Sequence, residues 1–127
     1  MSQPHETLIA WKRADDLCVR IYRITQERFP RDEKYGLAAQ TRRAGYSVAA
    51  NIVEGFADKS HKWRLRYLRI AIGSLAEVGY ALHLASRLNY LKSEEYAEIE
   101  TEISKVASPL HGLIASVREA IERPNNE

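Results

Sequence analysis

Apolar residues return every three or four positions along this chain, in four separate runs. In the first, Leu8, Trp11, Ala14, Cys18, Ile21 and Ile24 make one stripe, the spacing that lines one face of a 3.6-residue helix. It predicts a helix over about 6–28, stopped by Pro30. In the second run the stripe is Leu37, Thr41, Ala44, Val48, Ile52 and Gly55, flanked by Ala38, Ala39, Gly45, Ala49 and Ala50, and predicts a helix over about 35–57. Its small side chains let another backbone come close. Glycine costs about 0.8–1.0 kcal/mol against alanine inside a helix, so Gly45 and Gly55 point to tight packing. Asp32 and Glu33 stand just before it, where a carboxylate complements the positive helix end.

The third run, Leu68, Ala71, Ile72, Leu75, Val78, Leu82 and Ala85, predicts a helix over about 60–88, with Ser60 as its cap. The fourth predicts a helix over about 93–122, capped by Ser93, with Glu94 and Glu95 in the first turn. Tyr96, Ile99, Ile103, Val106, Leu110, Leu113, Val117 and Ile121 step by 3, 4, 3, 4, 3, 4 and 4 along it, the seam of a bundle or coiled coil. Pro109 sits inside that seam and removes one backbone donor, which predicts a kink. Residues 123–127 read as a frayed tail.

Strand-like alternation is missing, so the expected class is all-α: an antiparallel up-down four-helix bundle forming one domain over residues 1–127. If the second and third helices form a hairpin turning near residue 58 or 59, facing positions have numbers that sum to about 117.

Length and composition fit this picture. A chain of 127 residues buries a core of four helices without disulfides or metal staples. The lone Cys18 has no partner within the chain and lies in an apolar stripe, as a small buried hydrophobe of a reducing compartment does. No run approaches the ~18 apolar residues of a membrane span, and the first residues lack the pattern of a secretory leader. A cytoplasmic location without membrane contact is expected.

Charge is distributed unevenly. Residues 1–92 carry 16 Lys and Arg against 9 Asp and Glu, and residues 93–127 carry 3 against 8, so the two parts differ in sign although the net charge is only +2. Such asymmetry suits either a polyanion on one surface or complementary surfaces of neighbouring subunits.

On the second helix Gln40, Arg43, Ser47, Asn51 and Glu54 step by 3, 4, 4 and 3 and share one polar stripe. By the hairpin register, Arg43 lies level with Ser74 and within a turn of Glu77, while Asn51 and Glu54 lie near Arg66 and Trp63. The expectation is a structural polar network of Arg43, Ser47, Asn51, Glu54, Ser74 and Glu77. Within it, buried Arg43–Glu77 and Glu54–Arg66 pairs clamp the helices, because a buried charge needs a partner. A solvated face and a catalytic site around Asn51, Glu54 and Glu77 are the competing readings.

Metal and cofactor chemistry find no support. A di-iron bundle needs inward glutamates and Glu-x-x-His pairs, but three residues before His61, His83 and His111 stand Asp58, Tyr80 and Ser108. There is no nucleophile elbow, P-loop or dinucleotide fingerprint. No metal, no cofactor and no enzymatic activity are expected.

Lys59, Lys62, Arg66 and Arg69 step by 3, 4 and 3 at the start of the third helix, with Trp63 and Tyr67 nearby. Like charges at these spacings repel by about 0.2–0.5 kcal/mol per pair. Three surroundings relieve that repulsion: water, phosphates of RNA or DNA, or acidic groups such as Glu54 or the Glu94–Glu102 cluster, in the same or an adjacent subunit.

The stretch FPRDEKYGLAAQTRRAGYSVAANIVEG, followed by RYLRIAIGSLAEV and LNYL, resembles the 23S rRNA intervening-sequence proteins. The matching elements are Arg42, Arg43 and Ala44; Ser47, Val48, Asn51, Ile52, Glu54 and Gly55; then Ala71, Gly73, Ser74 and Glu77. Gly79 departs from the pattern, as members often carry a second acidic residue there. The resemblance implies a small cytosolic bacterial four-helix bundle with no established enzymatic activity, forming a homopentameric ring around a central channel. A similar fold serves as the strongly basic accessory barrel of diversity-generating retroelements, which associates with a reverse transcriptase and nucleic acid, and this chain, at +2, matches that relative poorly. The expected role is a non-enzymatic oligomeric scaffold or binding module, with RNA or DNA binding through the basic stripe as the second reading.

Overall fold

Each apolar stripe becomes a helix. The computed structural model describes residues 5 and 8–123, which hold α1 (Ile9–Arg28), α2 (Leu37–Gly55), α3 (His61–Arg87) and α4 (Ser93–Glu122). A 3-10 turn, Arg31–Glu33, sits between α1 and α2. No strand occurs among the described residues. Positions 6 and 7, expected in α1, and residues 124–127 of the expected tail lie outside the described residues.

The helices pack in sequence order around a ring: α1 against α2, α2 against α3, α3 against α4, and α4 back against α1. Neighbours run antiparallel. On α1 and α2, Ile21 meets Gly45 while Thr25, further along α1, meets the earlier Arg42. The same reversal brings Arg20 to Glu102 and Arg28 to Glu95 between α1 and α4. Side chains from all four helices fill one core, including Ile21, Val48, Ile52, Leu68, Leu82, Ile99 and Leu110, each fully buried.

Gly45 packs against α1. A Cβ there would lie 2.8 Å from Ile21 Cδ1, so a side chain would force that terminal methyl to shift. Gly55 is less demanding, since a Cβ would meet Arg64 O and Tyr67 Cβ at 3.5 Å, an ordinary contact.

The ends of the helices are fixed by local hydrogen bonds. Ser60 caps α3 by accepting from the Trp63 N–H at 3.2 Å. At the start of α4 the cap is not the expected Ser93, which is the first helical residue. Glu95 reaches back instead, accepting from the Lys92 N–H at 3.0 Å, because a carboxylate two residues inside the helix has the reach that Ser93 lacks. Glu33 does the same for α2 through the Leu37 N–H, at 3.0 Å. The α3–α4 turn closes on Asn89, whose φ of 64° is the left-handed conformation asparagine tolerates. The N–H groups of Asn89 and Tyr90 donate to Ser86 O and Ala85 O, the paired bonds of a Schellman ending.

α4 runs unbroken through Pro109. The proline nitrogen has no hydrogen for the carbonyl four residues earlier, Lys105 O, and Arg13 of α1 supplies one at 2.9 Å. Beyond this point the buried seam departs from the expected one: Ile114, and not Leu113, is the buried residue. A 3.6-residue helix drifts from a strict 3.5-residue repeat, and after Leu110 the drift moves the inward position from three residues on to four.

Candidate functional site

The α2–α3 face carries the polar stripe, and the structure divides it in two. Ser47 Oγ and Ser74 Oγ lie 2.7 Å apart across the interface. Asn51 Nδ2 donates to Ser47 O and Ser47 Oγ at 2.8 and 2.9 Å. These three form a neutral bridge at the edge of the core, with Ser74 buried and its two partners half-buried. Hydroxyls and an amide satisfy one another there without any group that changes charge near neutral pH.

The charged members stand apart. Arg43, Glu54 and Glu77 are exposed, and Arg43 Nη1 donates to Gln40 Oε1 at 2.8 Å. The expected Arg43–Glu77 and Glu54–Arg66 ion pairs do not form. Register is not the cause: Ser47 pairs with Ser74 where a sum of 117 predicts Ile70, and this displacement by one turn brings both pairs closer to level. At the rim water solvates each charge, whereas burying the pair would incur a desolvation cost of several kcal/mol per ion.

The basic stripe keeps three of its four members on a helix. Lys59 lies in the α2–α3 turn, before α3 begins at His61, and Lys62, Arg66 and Arg69 line the outer face of α3. All four are exposed, and among the described residues none has a carboxylate within ion-pairing distance. Their aromatic neighbours serve the fold. Trp63 Nε1 donates to Glu54 O at 2.8 Å, satisfying a carbonyl at the end of α2, and its ring meets Tyr67 at 4.8 Å between centroids.

The acidic start of α4 does not serve the stripe within the chain. Arg20 of α1 bridges Glu98 and Glu102 at 3.1 and 2.9 Å, and Arg28 holds Glu95 at 2.7 Å. Topology adds to this separation: α3 begins at the opposite end of the bundle from the turn where α4 begins.

Two contacts had no clear signal in the sequence. Arg42 crosses to α1, where Nε donates to Thr25 Oγ1 at 2.8 Å and Nη2 to Tyr22 O at 3.2 Å, and its guanidinium lies 4.9 Å from the centroid of the Tyr22 ring. Glu33 joins the end turns, accepting from the Tyr90 hydroxyl at 2.8 Å as well as from Leu37. The Leu37 N–H first, and then Tyr90, hold its carboxyl below the usual range. Glu95 is lowered likewise, mainly by the Lys92 N–H.

Cys18 is half-buried, and burial, reinforced by the nearby Asp15, raises its thiol above the ordinary value, which lowers its thiolate content. Among the described residues no three His, Cys, Asp or Glu side chains gather closely enough to hold a metal ion. No helix among them is long and apolar enough to cross a membrane.

A family model for the 23S rRNA-intervening sequence protein matches residues 6–112, from the start of α1 to the middle of α4. The chain belongs to that family. It is also similar in fold to a crystal structure of a protein of unknown function from the S23 ribosomal protein family of Bacteroides thetaiotaomicron. The identity is 24%, the match covers 84% of this chain and 98% of the other, and the TM-score is 0.78. No curated protein matches it.

Proposed function

We propose that this family member is a non-catalytic binding module of the cytoplasm that works as a ring-shaped homo-oligomer, a pentamer. The observation that carries this reading is where the bundle leaves large apolar side chains exposed. Val19 and Tyr22 project from α1, Tyr46 from α2, and Ile70 and Tyr80 from α3, whereas α4 exposes none. α1 and α3 are diagonal in the bundle, so their outer faces point away from each other. Two different adhesive faces suit head-to-tail contacts, which close into rings, better than the single self-complementary patch of a two-fold dimer. Five is the number that the family resemblance implies.

Light scattering on the purified protein tests the reading: it predicts a mass five times the 14.5 kDa of one chain. A 14.5 kDa particle across the concentration range would contradict it.

RNA or DNA binding through Lys59, Lys62, Arg66 and Arg69 is the second reading, favoured by the exposure of all four and by the absence, among the described residues, of a carboxylate within ion-pairing distance of any of them. A ring whose subunits all point the same way would not neutralise them with the Glu94–Glu102 cluster, because the two groups lie at opposite ends of every subunit. Titration with structured RNA tests it: affinity falls as salt rises if phosphates are contacted, and a flat salt dependence counts against such contacts.

A further inference from the structure

At the end of the bundle away from the basic stripe, α1 stops at Arg28, the chain turns through Arg31–Glu33, and α2 begins at Leu37. A cavity of about 520 Å³ opens between these elements, with Arg31, Lys34 and Arg42 in its wall. That size falls within the roughly 300–1,000 Å³ usual for ligand pockets. Phe29, Pro30 and Ala38 supply apolar wall, and Thr25 and Gln26 supply neutral polar groups.

Three cations share this cavity, and no carboxylate lines it. The nearby Glu33 directs its two oxygens to the Leu37 N–H and the Tyr90 hydroxyl. Arg31 and Lys34 are exposed and form no ion pair among the described residues. Arg42 is already fixed in place by Thr25, by the Tyr22 carbonyl and by the Tyr22 ring, and those contacts leave its Nη1 without an acceptor among the described residues. A guanidinium immobilised in this way loses little freedom when it binds a ligand.

We propose that this cleft binds a phosphate group. Three positive side chains around one cavity match a phosphate better than a carboxylate, because a phosphate offers more acceptor oxygens to a guanidinium and an ammonium group and, as a monoester, a second negative charge. The first turn of α2 contributes Ala38 to the wall. The phosphate belongs either to a small phosphorylated molecule or to a nucleic-acid backbone. The cleft is separate from Lys62 and Arg66 and does not depend on subunit number.

The test is calorimetry on the whole protein at low salt with inorganic phosphate, adenosine 5′-monophosphate and a single-stranded oligonucleotide. Nitrogen-15 NMR of the arginine side chains, run in parallel, reports on Arg42. The expected result is saturable binding that shifts the Arg42 Nε–H. Binding weakens about tenfold in Arg31→Ala/Lys34→Ala, whose substituted side chains are exposed and leave the melting temperature unchanged. Arg42→Lys, which keeps the charge but not the fork, weakens it as well, and Lys62→Glu/Arg66→Glu leaves it unaltered.

Response to phosphate and the mononucleotide identifies a small phosphorylated ligand. Response to the oligonucleotide alone, lost in Arg31→Ala/Lys34→Ala, identifies a backbone phosphate. No saturable binding of any of the three, or binding lost only in the Lys62→Glu/Arg66→Glu variant, overturns the proposal. Light scattering on the same samples reports the assembly independently.

Discussion

α3 and α4 are the two longest helices and lie side by side, yet only their inner faces are alike. Leu68, Val78 and Leu82 of α3 are as fully buried as Ile99, Val106 and Leu110 of α4. Outside, α4 exposes no large apolar side chain, and three glutamates of its first half are engaged by Arg20 and Arg28 of α1. α3 exposes Ile70 and Tyr80, and its Lys62, Arg66 and Arg69 have no carboxylate partner among the described residues. Folding of one chain accounts for both inner faces and for the outer face of α4. It does not account for the outer face of α3, which is where association with something else is to be sought.

The largest expected effect tests the half of the comparison in which the helices agree. Leu110→Ala on α4 and Leu82→Ala on α3 each remove a fully buried side chain, and each should destabilise the fold by about 2–5 kcal/mol in denaturant titration. A much smaller loss on one helix would show that the two inner faces are not equivalent.

A smaller effect concerns how α4 is held to α1. Arg13→Ala should cost about 0.5–1.5 kcal/mol, because it leaves Lys105 O without the donor that Pro109 cannot provide. In the Pro109→Ala background the helix supplies that donor itself, so the same Arg13→Ala change should cost distinctly less. Equal costs in both backgrounds would show that Arg13 does not compensate for the proline.

The smallest effect separates the two helix starts by their response to acid. α4 is capped by Glu95, whose folded pKa is depressed chiefly by the Lys92 N–H, and α3 is capped by the hydroxyl of Ser60. A depressed carboxylate contributes stability that is fully present above its ordinary value near 4.5 and is lost as pH falls through the lower, folded value. Amide exchange, corrected for its intrinsic pH dependence, should therefore rise at Lys92, whose N–H donates to Glu95, on acidification and stay constant at Trp63, whose N–H donates to the Ser60 hydroxyl. Parallel changes in both would contradict the assignment of the caps.

Much of the helical architecture was legible because apolar spacing alone dictates which face of each helix is buried. The fourth stripe marks α4, and Ser60 marks the start of α3. The inter-helix register was not legible to within a turn: loop length does not state how the turn at residues 56–60 folds, and the displacement carried Ser47 to Ser74. Nor did the polar stripe declare its depth. Asn51 and Glu54 lie one helical turn apart, yet one is half-buried and bonded to Ser47, whereas the other faces water. Arg42 and Arg43 are adjacent in sequence but point to different neighbours, and only the packing of α1 distinguishes them.

The most direct measurement of the central claim is the solution mass of the native protein beside that of Tyr80→Glu, read by light scattering. Tyr80 is 66% exposed on α3, so placing a charge there should change the stability of a single chain by no more than about 0.5 kcal/mol. The account predicts a five-subunit particle for the native protein and a smaller particle of unchanged helicity for the variant. A native protein that stays monomeric, or an assembly indifferent to Tyr80→Glu, would contradict it.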